Sequence, residues 1–547
     1  MTNVVRPPCD EGVMQAWAGS TNCPRSAAPW VLSAAVIGSS MVFIDGTVAN
    51  VALPAIQRDL GASATDAQWV VEAYALLLAS LLLVGGALGD LYGRRRIFRF
   101  GVVLFAGSSA LCGIAPDPRT LIAARALQGA AGALLTPGSL ALISAAYDDD
   151  SRGRAIGTWS AATSITASLG PVLGGALIQY ASWRWAFFLN VPLGIVVLLI
   201  IAARVPESRD EMATGAPDIL GGVLASVGLA LLVYGLIRSD ESGFADAVVV
   251  ASMAGGAVIL VLFGVLEARL GKPSAGRKRR SPMLPFDVFR SRPFTVTNGL
   301  TLLLYGALGG SLFFVPFSLI EVHGYTATAA GAALLPMILL LASLSRLTGG
   351  LVPRVGARML LTVGPAVAAI GFWLFAIPGA SGNYWTTFFP AAVVLGLGMS
   401  ITVAPLTATV MGSVERRHAG VASGINNAVS RVAALLAVAI FGIVLVHGFN
   451  TGVDDRLSNL HVASAVVQSI DSQRSKLALA RAPEGTDPTQ ASAANAAVAD
   501  AFVGAFRTVM MIAGGLAVAS ALVAFVGLRQ RPEPVYAPRR APAPATE

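Results

Sequence analysis

The sequence predicts an all-α polytopic membrane protein: two related six-helix bundles with two further helices inserted between them, fourteen membrane helices in all. Three observations predict it. Hydrophobic residues make up 55% of the 547-residue chain and charged residues only 12%, against roughly 25% charged in ordinary soluble domains, and mean hydropathy is +0.70. Apolar runs of the roughly 20 residues that a bilayer-crossing helix needs recur along the whole chain. A charged loop early in the sequence has a degenerate copy at the matching place in the second half.

In hydrocarbon every backbone N–H and C=O must be satisfied within the segment, so the runs are read as helices rather than isolated strands. They cover residues 30–52, 69–88, 97–114, 121–145, 155–180, 185–203, 219–237, 247–266, 294–320, 327–351, 359–377, 386–411, 419–446 and 501–528. The expected organisation is a tail (1–29), a first bundle (30–203), a two-helix insert with a basic connector (204–293), a second bundle (294–528) with a polar loop (448–499), and a second tail (529–547). The first tail holds Pro7, Pro8, Asp10, Glu11 and Pro24 and no apolar core. It is therefore not read as a cleaved secretory signal, and the first run is a retained membrane helix.

The net charge of +8 is spread through short loops rather than gathered on one face, which argues against a nucleic-acid partner. Topology accounts for it. With a cytoplasmic N-terminus, the inner loops hold Arg94, Arg95, Arg96, Arg99, Arg152, Arg154, Arg204, Arg209, Arg354, Arg358, Arg416, Arg417 and the "GRKRRS" of 276–281. The outer loops hold little beyond Arg58, Arg119, Arg184 and Arg238. That asymmetry puts both termini in the cytoplasm, in a multi-pass protein of the inner membrane, with the connector lying against anionic headgroups. Cys9, Cys23 and Cys112 lack metal-ligand spacing, and Cys112 reads as a small packing residue. His323, His418, His447 and His461 stand at loops or span ends. A metal centre, a cofactor and a membrane enzyme are therefore not expected.

The charged loop "GALGDLYGRRR" (86–96) aligns with "GGLVPRVGARM" (349–359): Leu88 with Leu351, Gly93 with Gly356, Arg95 with Arg358, and Asp90 with Pro353. Both copies join the second and third spans of a six-helix half, the signature of a duplicated bundle with parallel halves. The runs 219–237 and 247–266 fall outside that symmetry and form the insert.

Ionisable groups at membrane depth cost several kcal/mol and need a reason. Asp45 lies well inside the first run, with Thr47, Asn50 and Pro54 nearby. It is either a structural carboxylate or a proton carrier or cation contact. Arg125 and Gln128 stand three apart on a run otherwise small and apolar, followed by Gly129 and Gly132, so a neighbouring helix can come close enough to receive the guanidinium. The alternative is that Arg125 snorkels out of the first turn. Glu72, one turn into the second run, either faces water or joins these groups. In the fifth run Pro171, flanked by Gly170, Gly174 and Gly175, points to a kinked, tightly packed hinge or seal.

Together these stretches resemble the major facilitator superfamily, in particular its fourteen-helix drug:proton antiporter branch. The 86–96 loop is similar to the signature between helices two and three through Gly86, Leu88, Asp90, Gly93, Arg94 and Arg95. "RALQGAAG" (125–132) is similar to the fourth-helix motif, "LGPVLGG" (169–175) to the fifth-helix motif of antiporters, "IDGTVANVALPAI" to the first-helix motif, and "WRWAFFLNVPLG" (183–194) to the entry of the sixth helix. The resemblance spans about residues 30–528. It implies the major facilitator fold, alternating access by two rocking halves, and multidrug efflux driven by protons as the coupling ion. It further implies that Asp90 and Arg94, with Gly93 and Arg95, form a cytoplasmic gate, that Arg125 serves proton transfer, and that Asp45 serves coupling or substrate. Glu72 is grouped with them.

This chain lacks mid-membrane carboxylates in the second half, Glu321 standing at a boundary. The expected cavity is instead apolar and amide-rich, suited to large lipophilic small molecules. Asn50, Gln128, Tyr305, Phe313, Phe314, Asn426 and Asn427 are its candidate lining residues, or else packing positions. Uptake of a small polar solute and a transporter-like sensor are the competing functions. The former is disfavoured by "LGPVLGG", the latter by the lack of a segment long enough for a reading domain. A monomer in the lipid bilayer is the expected working unit.

Overall fold

The computed structural model describes residues 27–147, 149–208, 218–270, 284, 286–414, 419–460 and 462–528. Residues 1–26 of the first tail, all of the second tail, residues 271–283 and 285 of the basic connector, and Arg209, Arg416, Arg417, His418 and His461 lie outside the described residues, as do the side chains of Arg152 and Arg154.

Every one of the fourteen apolar runs falls on helix. The first half comprises α1 (Ala28–Leu60), α2 (Ala64–Tyr92), α3 (Arg94–Ile114), α4 (Pro118–Ala146), α5 (Asp149–Tyr180), α6 (Trp183–Phe188) and α7 (Asn190–Arg204). The insert is α8 (Ile219–Ser242) and α9 (Ala247–Leu270). The second half comprises α10 (Arg292–Phe317), α11 (Ala327–Ala332), α12 (Leu335–Val355), α13 (Ala357–Phe375), α14 (Phe388–Gly412), α15 (Ala419–Ser458), α16 (Ser464–Ser472) and α17 (Pro488–Gly527). Among the described residues twelve helices are long and apolar enough to cross a membrane, and α2, bent by 50°, is a thirteenth when taken as one span. The remaining run is α5, 32 residues long, so a total of fourteen is compatible with the fold.

Local chemistry sets where the helices begin and end. Ser63 caps α2 reciprocally with Asp66, and Asp117 accepts from the Thr120 amide at 3.0 Å to start α4. Gly93 closes α2 and opens α3 at φ 106°, and Gly356 does the same between α12 and α13 at φ 87°. Only glycine adopts such a φ readily, so the two aligned loops share one backbone turn. The polar stretch 448–499, expected as a partly helical outer loop, is taken up by helix at both ends. α15 runs on to Ser458, and α17 starts at Pro488, where the Asp487 carboxylate accepts from the Thr489 amide at 3.0 Å. Polar residues extend these helices because caps and helical hydrogen bonds do not depend on hydropathy. Two runs are broken. The sixth is split at Leu189, and the tenth restarts at Leu335–Pro336, where proline at the second position of a helix leaves no backbone N–H wasted.

The same helix pairings recur in both halves: α2 with α4, α3 with α4, α1 with α5, α3 with α7 and α1 with α7 are matched by α12 with α14, α13 with α14, α10 with α15, α13 with α17 and α10 with α17. The insert packs its α8 against both α2 and α15, so it flanks the line where the halves meet. Across that line α5 packs on α11 and α2 on α15. α5 runs unbroken through Pro171, and its glycines act by close approach. A Cβ at Gly175 would strike the Ala327 backbone, and one at Gly331 would strike the Pro171 backbone. At the same end of the bundle Arg58 of α1 meets Glu321 at 3.7 Å, and Gln68 packs on Gly442. A cavity of about 610 Å³ lies there between the halves, bordered by Pro54, Arg58, Gln179, Glu321 and Tyr325.

Candidate functional site

α1, α3, α4 and α7 converge on a polar cluster sealed inside the first half. Asp45 of α1 is 2% exposed and Arg125 of α4 is fully buried. Arg125 donates through Nη1 to Asp45 Oδ2 and, at 2.7 Å, to Gln128 Oε1, while its Nε donates to the Val70 carbonyl at 3.0 Å. The other carboxylate oxygen of Asp45 accepts from Gln128 Nε2 at 2.8 Å and from Asn190 Nδ2 at 3.2 Å. Ser109 of α3 accepts from both amides, at 3.1 and 3.0 Å, and donates to the Phe187 carbonyl at 2.8 Å. The Tyr74 ring lies 4.1 Å from the Arg125 guanidinium carbon, and its hydroxyl donates to the Val42 carbonyl at 3.1 Å.

The spacing of α4 makes this possible. Arg125 and Gln128, three residues apart, share one face. Gly129 on the same helix lets the α2 backbone at Tyr74 come so close that a Cβ would overlap it. Two alternatives are thereby closed: Arg125 does not snorkel outward, and Gln128 does not line an open cavity, because both are consumed inside the cluster. The only enclosed guanidinium nitrogen of Arg125 without a partner is Nη2. Buried ion pairs of this kind compensate desolvation only when further hydrogen bonds satisfy the remaining lone pairs, as Gln128 and Asn190 do here.

Glu72 stands apart from the cluster. It is 1% exposed, and among the described residues neither carboxyl oxygen has a hydrogen-bond partner, so it does not face water. Gln68, Glu72 and Leu76 follow one another by single turns of α2. Gln68 packs on α15, and Leu76 belongs to an apolar cluster with Leu229 and Val233 of α8 and Leu435 and Ala439 of α15. The carboxyl group is thus buried on the seam between the halves. Asn50 is half-buried with Oδ1 enclosed and unpartnered.

At the other end of the bundle, Arg94 Nε donates to Asp90 Oδ1 at 3.0 Å. Glu207, beyond α7, accepts from the Arg95 amide at 2.9 Å and lies so close under Gly93 that a Cβ there would sit 2.8 Å from its carboxylate oxygen. The Arg94 amide donates to the Ser208 carbonyl at 2.8 Å. The charged loop is therefore clasped to the end of its own half.

The expected lining residues of the second half divide. Phe313 and Phe314 are each 2% exposed, with ring centroids 4.7 Å apart, and pack in the core rather than lining a cavity. Tyr305 is half-buried. Asn426 donates to Thr301 Oγ1 at 2.7 Å and Asn298 Oδ1 at 3.2 Å, and Asn427 is exposed. Sequence reasoning missed Ser109, Tyr74, Asn190, Glu207 and Arg431. Arg431 interrupts the thirteenth apolar run at mid-depth, and the rule that marks Asp45 marks it equally. Asn190 lies inside the sixth-helix stretch 183–194, whereas Ser109 and Glu207 carry no signal.

Residues 35–438 match the family model of the Major Facilitator Superfamily. The chain is 30% identical over 524 residues to the "Tetracenomycin C resistance and export protein" of Streptomyces glaucescens, covering 95% of each sequence. It is 35% identical over 423 residues to the "Puromycin resistance protein pur8" of Streptomyces alboniger, covering 76% of this chain and 81% of that one. Among solved structures, a bacterial homolog of the human lysosomal transporter Spinster superposes with a TM-score of 0.61 at 16% identity, covering 92% of this chain and 98% of that one. That likeness concerns the fold.

Proposed function

The chain belongs to the major facilitator superfamily, and from that premise we propose that it is a proton-coupled antiporter exporting lipophilic or amphipathic compounds across the cytoplasmic membrane. Export is supported by relatives named for resistance to, or export of, tetracenomycin C, puromycin and cephamycin. Proton coupling is carried by one observation: two carboxyl groups are buried at membrane depth in the first half, Asp45 with both oxygens bonded and Glu72 with neither.

The two groups divide the work. Asp45 meets Arg125, a permanent cation, so a proton arriving there competes with the guanidinium and loosens α1 from α4. An ionised Glu72 sealed without donors costs several kcal/mol, a cost removed when the seam opens to water. Ionisation is thereby linked to the separation of α2 from α15. With both termini cytoplasmic, the end closed by Gly175, Gly331 and the Arg58–Glu321 pair faces outward, and Asp90 and Arg94 guard the inner mouth as a gate.

The test is dye uptake into inside-out vesicles. Accumulation of the uncharged lipophilic dye Nile red should follow an imposed pH difference and collapse with an uncoupler. An Asp45→Asn variant should bind the dye yet fail to respond to the gradient; unchanged coupling in that variant would remove Asp45 from the mechanism.

A further inference from the structure

On α15, Asn427 and Arg431 follow one another by a single turn, so they share a face. Asn427 is exposed and Arg431 half-buried. The Nε of Arg431 is enclosed without a hydrogen-bond partner, and among the described residues its guanidinium makes no ion pair. A face carrying an amide and a guanidinium does not belong in hydrocarbon. Leu435 and Ala439, one and two turns further along that face, pack with Leu76 of α2 and with α8 where the halves meet.

Among the described residues no carboxylate is set to neutralise that charge. Asp45 is occupied by Arg125 inside the first half, and Glu72, on the same seam, accepts no hydrogen bond from it. Helices α10 to α14 contain no Asp or Glu at all, while α12 carries a further cation, Arg346, in mid-helix. A half-buried guanidinium with a donor to spare, on the face of α15 that meets the first half, matches an anionic oxygen. We propose that Arg431 binds a carboxylate, or an ionised enol or phenol, on the transported molecule, so that the preferred cargo is an amphipath with an acidic head and an apolar body. Leu435 and Ala439, on the same face of α15, offer the apolar surroundings such a body needs. This inference rests on the export reading and narrows its substrate class.

The experiment compares two probes that differ in charge alone, 1-pyrenebutyrate and 1-pyrenebutyramide, binding to the purified full chain in neutral detergent with no gradient present. The wild type should prefer the acid by about tenfold, the worth of one charge-assisted hydrogen bond. Arg431→Gln should erase the preference while still binding the amide, and Arg431→Lys should keep part of it. Equal binding of acid and amide by the wild type, or an unchanged preference in Arg431→Gln, overturns the proposal. So does displacement of pyrenebutyrate by phosphatidylglycerol when vesicles fail to transport the acid, since the guanidinium then serves a lipid headgroup. Failure of proton coupling would appear separately, as gradient-independent transport in vesicles with the binding preference intact.

Discussion

In the first half, the space where α1, α4 and α7 meet holds Asp45, Arg125, Gln128 and Asn190; in the second half the matching helices α10, α14 and α17 contribute Phe313, Phe314, Phe388 and Phe502 to one apolar cluster of buried residues. Helix pairings are shared, but the fillings are opposite in character. Aromatic packing is additive and tolerant, because each ring contributes its own share of dispersion and burial independently of the others. A buried ion pair with two bridging amides depends on every member at once, since removing one leaves an uncompensated charge. Under the proposed proton coupling, the first half is the one that responds to a proton, and the second holds its shape while the first responds.

The contrast breaks most sharply at Arg125. Arg125→Met leaves Asp45 charged with only two amide donors, and should cost about 3–5 kcal/mol of stability, read as thermal unfolding in detergent. Replacing both partners, in Asp45→Leu with Arg125→Met, should restore most of that stability while transport stays absent. If the double variant is no more stable than the single one, the first half is held by the pair as a frame rather than as a switch.

The next effect in size is at the seam. Gly175→Ala places a methyl group against the Ala327 backbone, an overpacking worth about 1–3 kcal/mol. Here only one of the two states loses, because the clash exists only while α5 and α11 touch. A thiol introduced by Thr326→Cys should therefore be labelled faster by a water-soluble maleimide in the Gly175→Ala background than without it. Equal rates would mean that the two halves do not part along this line.

How much of this is legible in the sequence follows from the physics of each element. Hydropathy reports what must avoid water, and so each of the fourteen apolar runs falls on helix. It is silent about helix that continues into polar sequence, and α15 and α17 outrun their expected ends. Asp45, Arg125 and Gln128 are legible because a polar group at membrane depth has no cheap neutral explanation. Their union is not, because which helices face one another is settled by close-packed glycines such as Gly129 and by a carbonyl such as that of Val70. Phe313 and Phe314 show the converse: an aromatic side chain suits a binding wall and a packed core equally, and only burial distinguishes them. Arg431 is as visible as Asp45, but a cation in a half without mid-membrane carboxylates suggests no partner, and its place on the seam emerges only from the fold.

A smaller change tests the seam carboxyl. Glu72→Gln keeps the shape and removes the titration, so unfolding should shift by less than about 1 kcal/mol, within the range of substitutions that leave packing intact. Dye efflux driven by a pH gradient should nevertheless stop. A variant that still couples would leave Asp45 alone to carry the proton, and Glu72 would then be a structural residue where α2 meets α15.

The least costly substitution separates the two aligned loops, where the first half has Asp90 and the second has Pro353. The Asp90–Arg94 pair is partly exposed, with 39% of the Asp90 side chain accessible, so its removal in Asp90→Asn should change stability by about 1 kcal/mol or less. In a balanced two-state transporter even that much shifts the populations severalfold, and export should fall by at least as much with the protein still folded. Pro353→Asp supplies the missing carboxylate to the second loop, four residues before Ala357, where the first loop has Arg94. Lacking that partner, it should leave export unchanged. Gain or loss of export in Pro353→Asp would show that the second loop also takes part in gating, and the division between a responding half and a holding half would fail at the inner mouth.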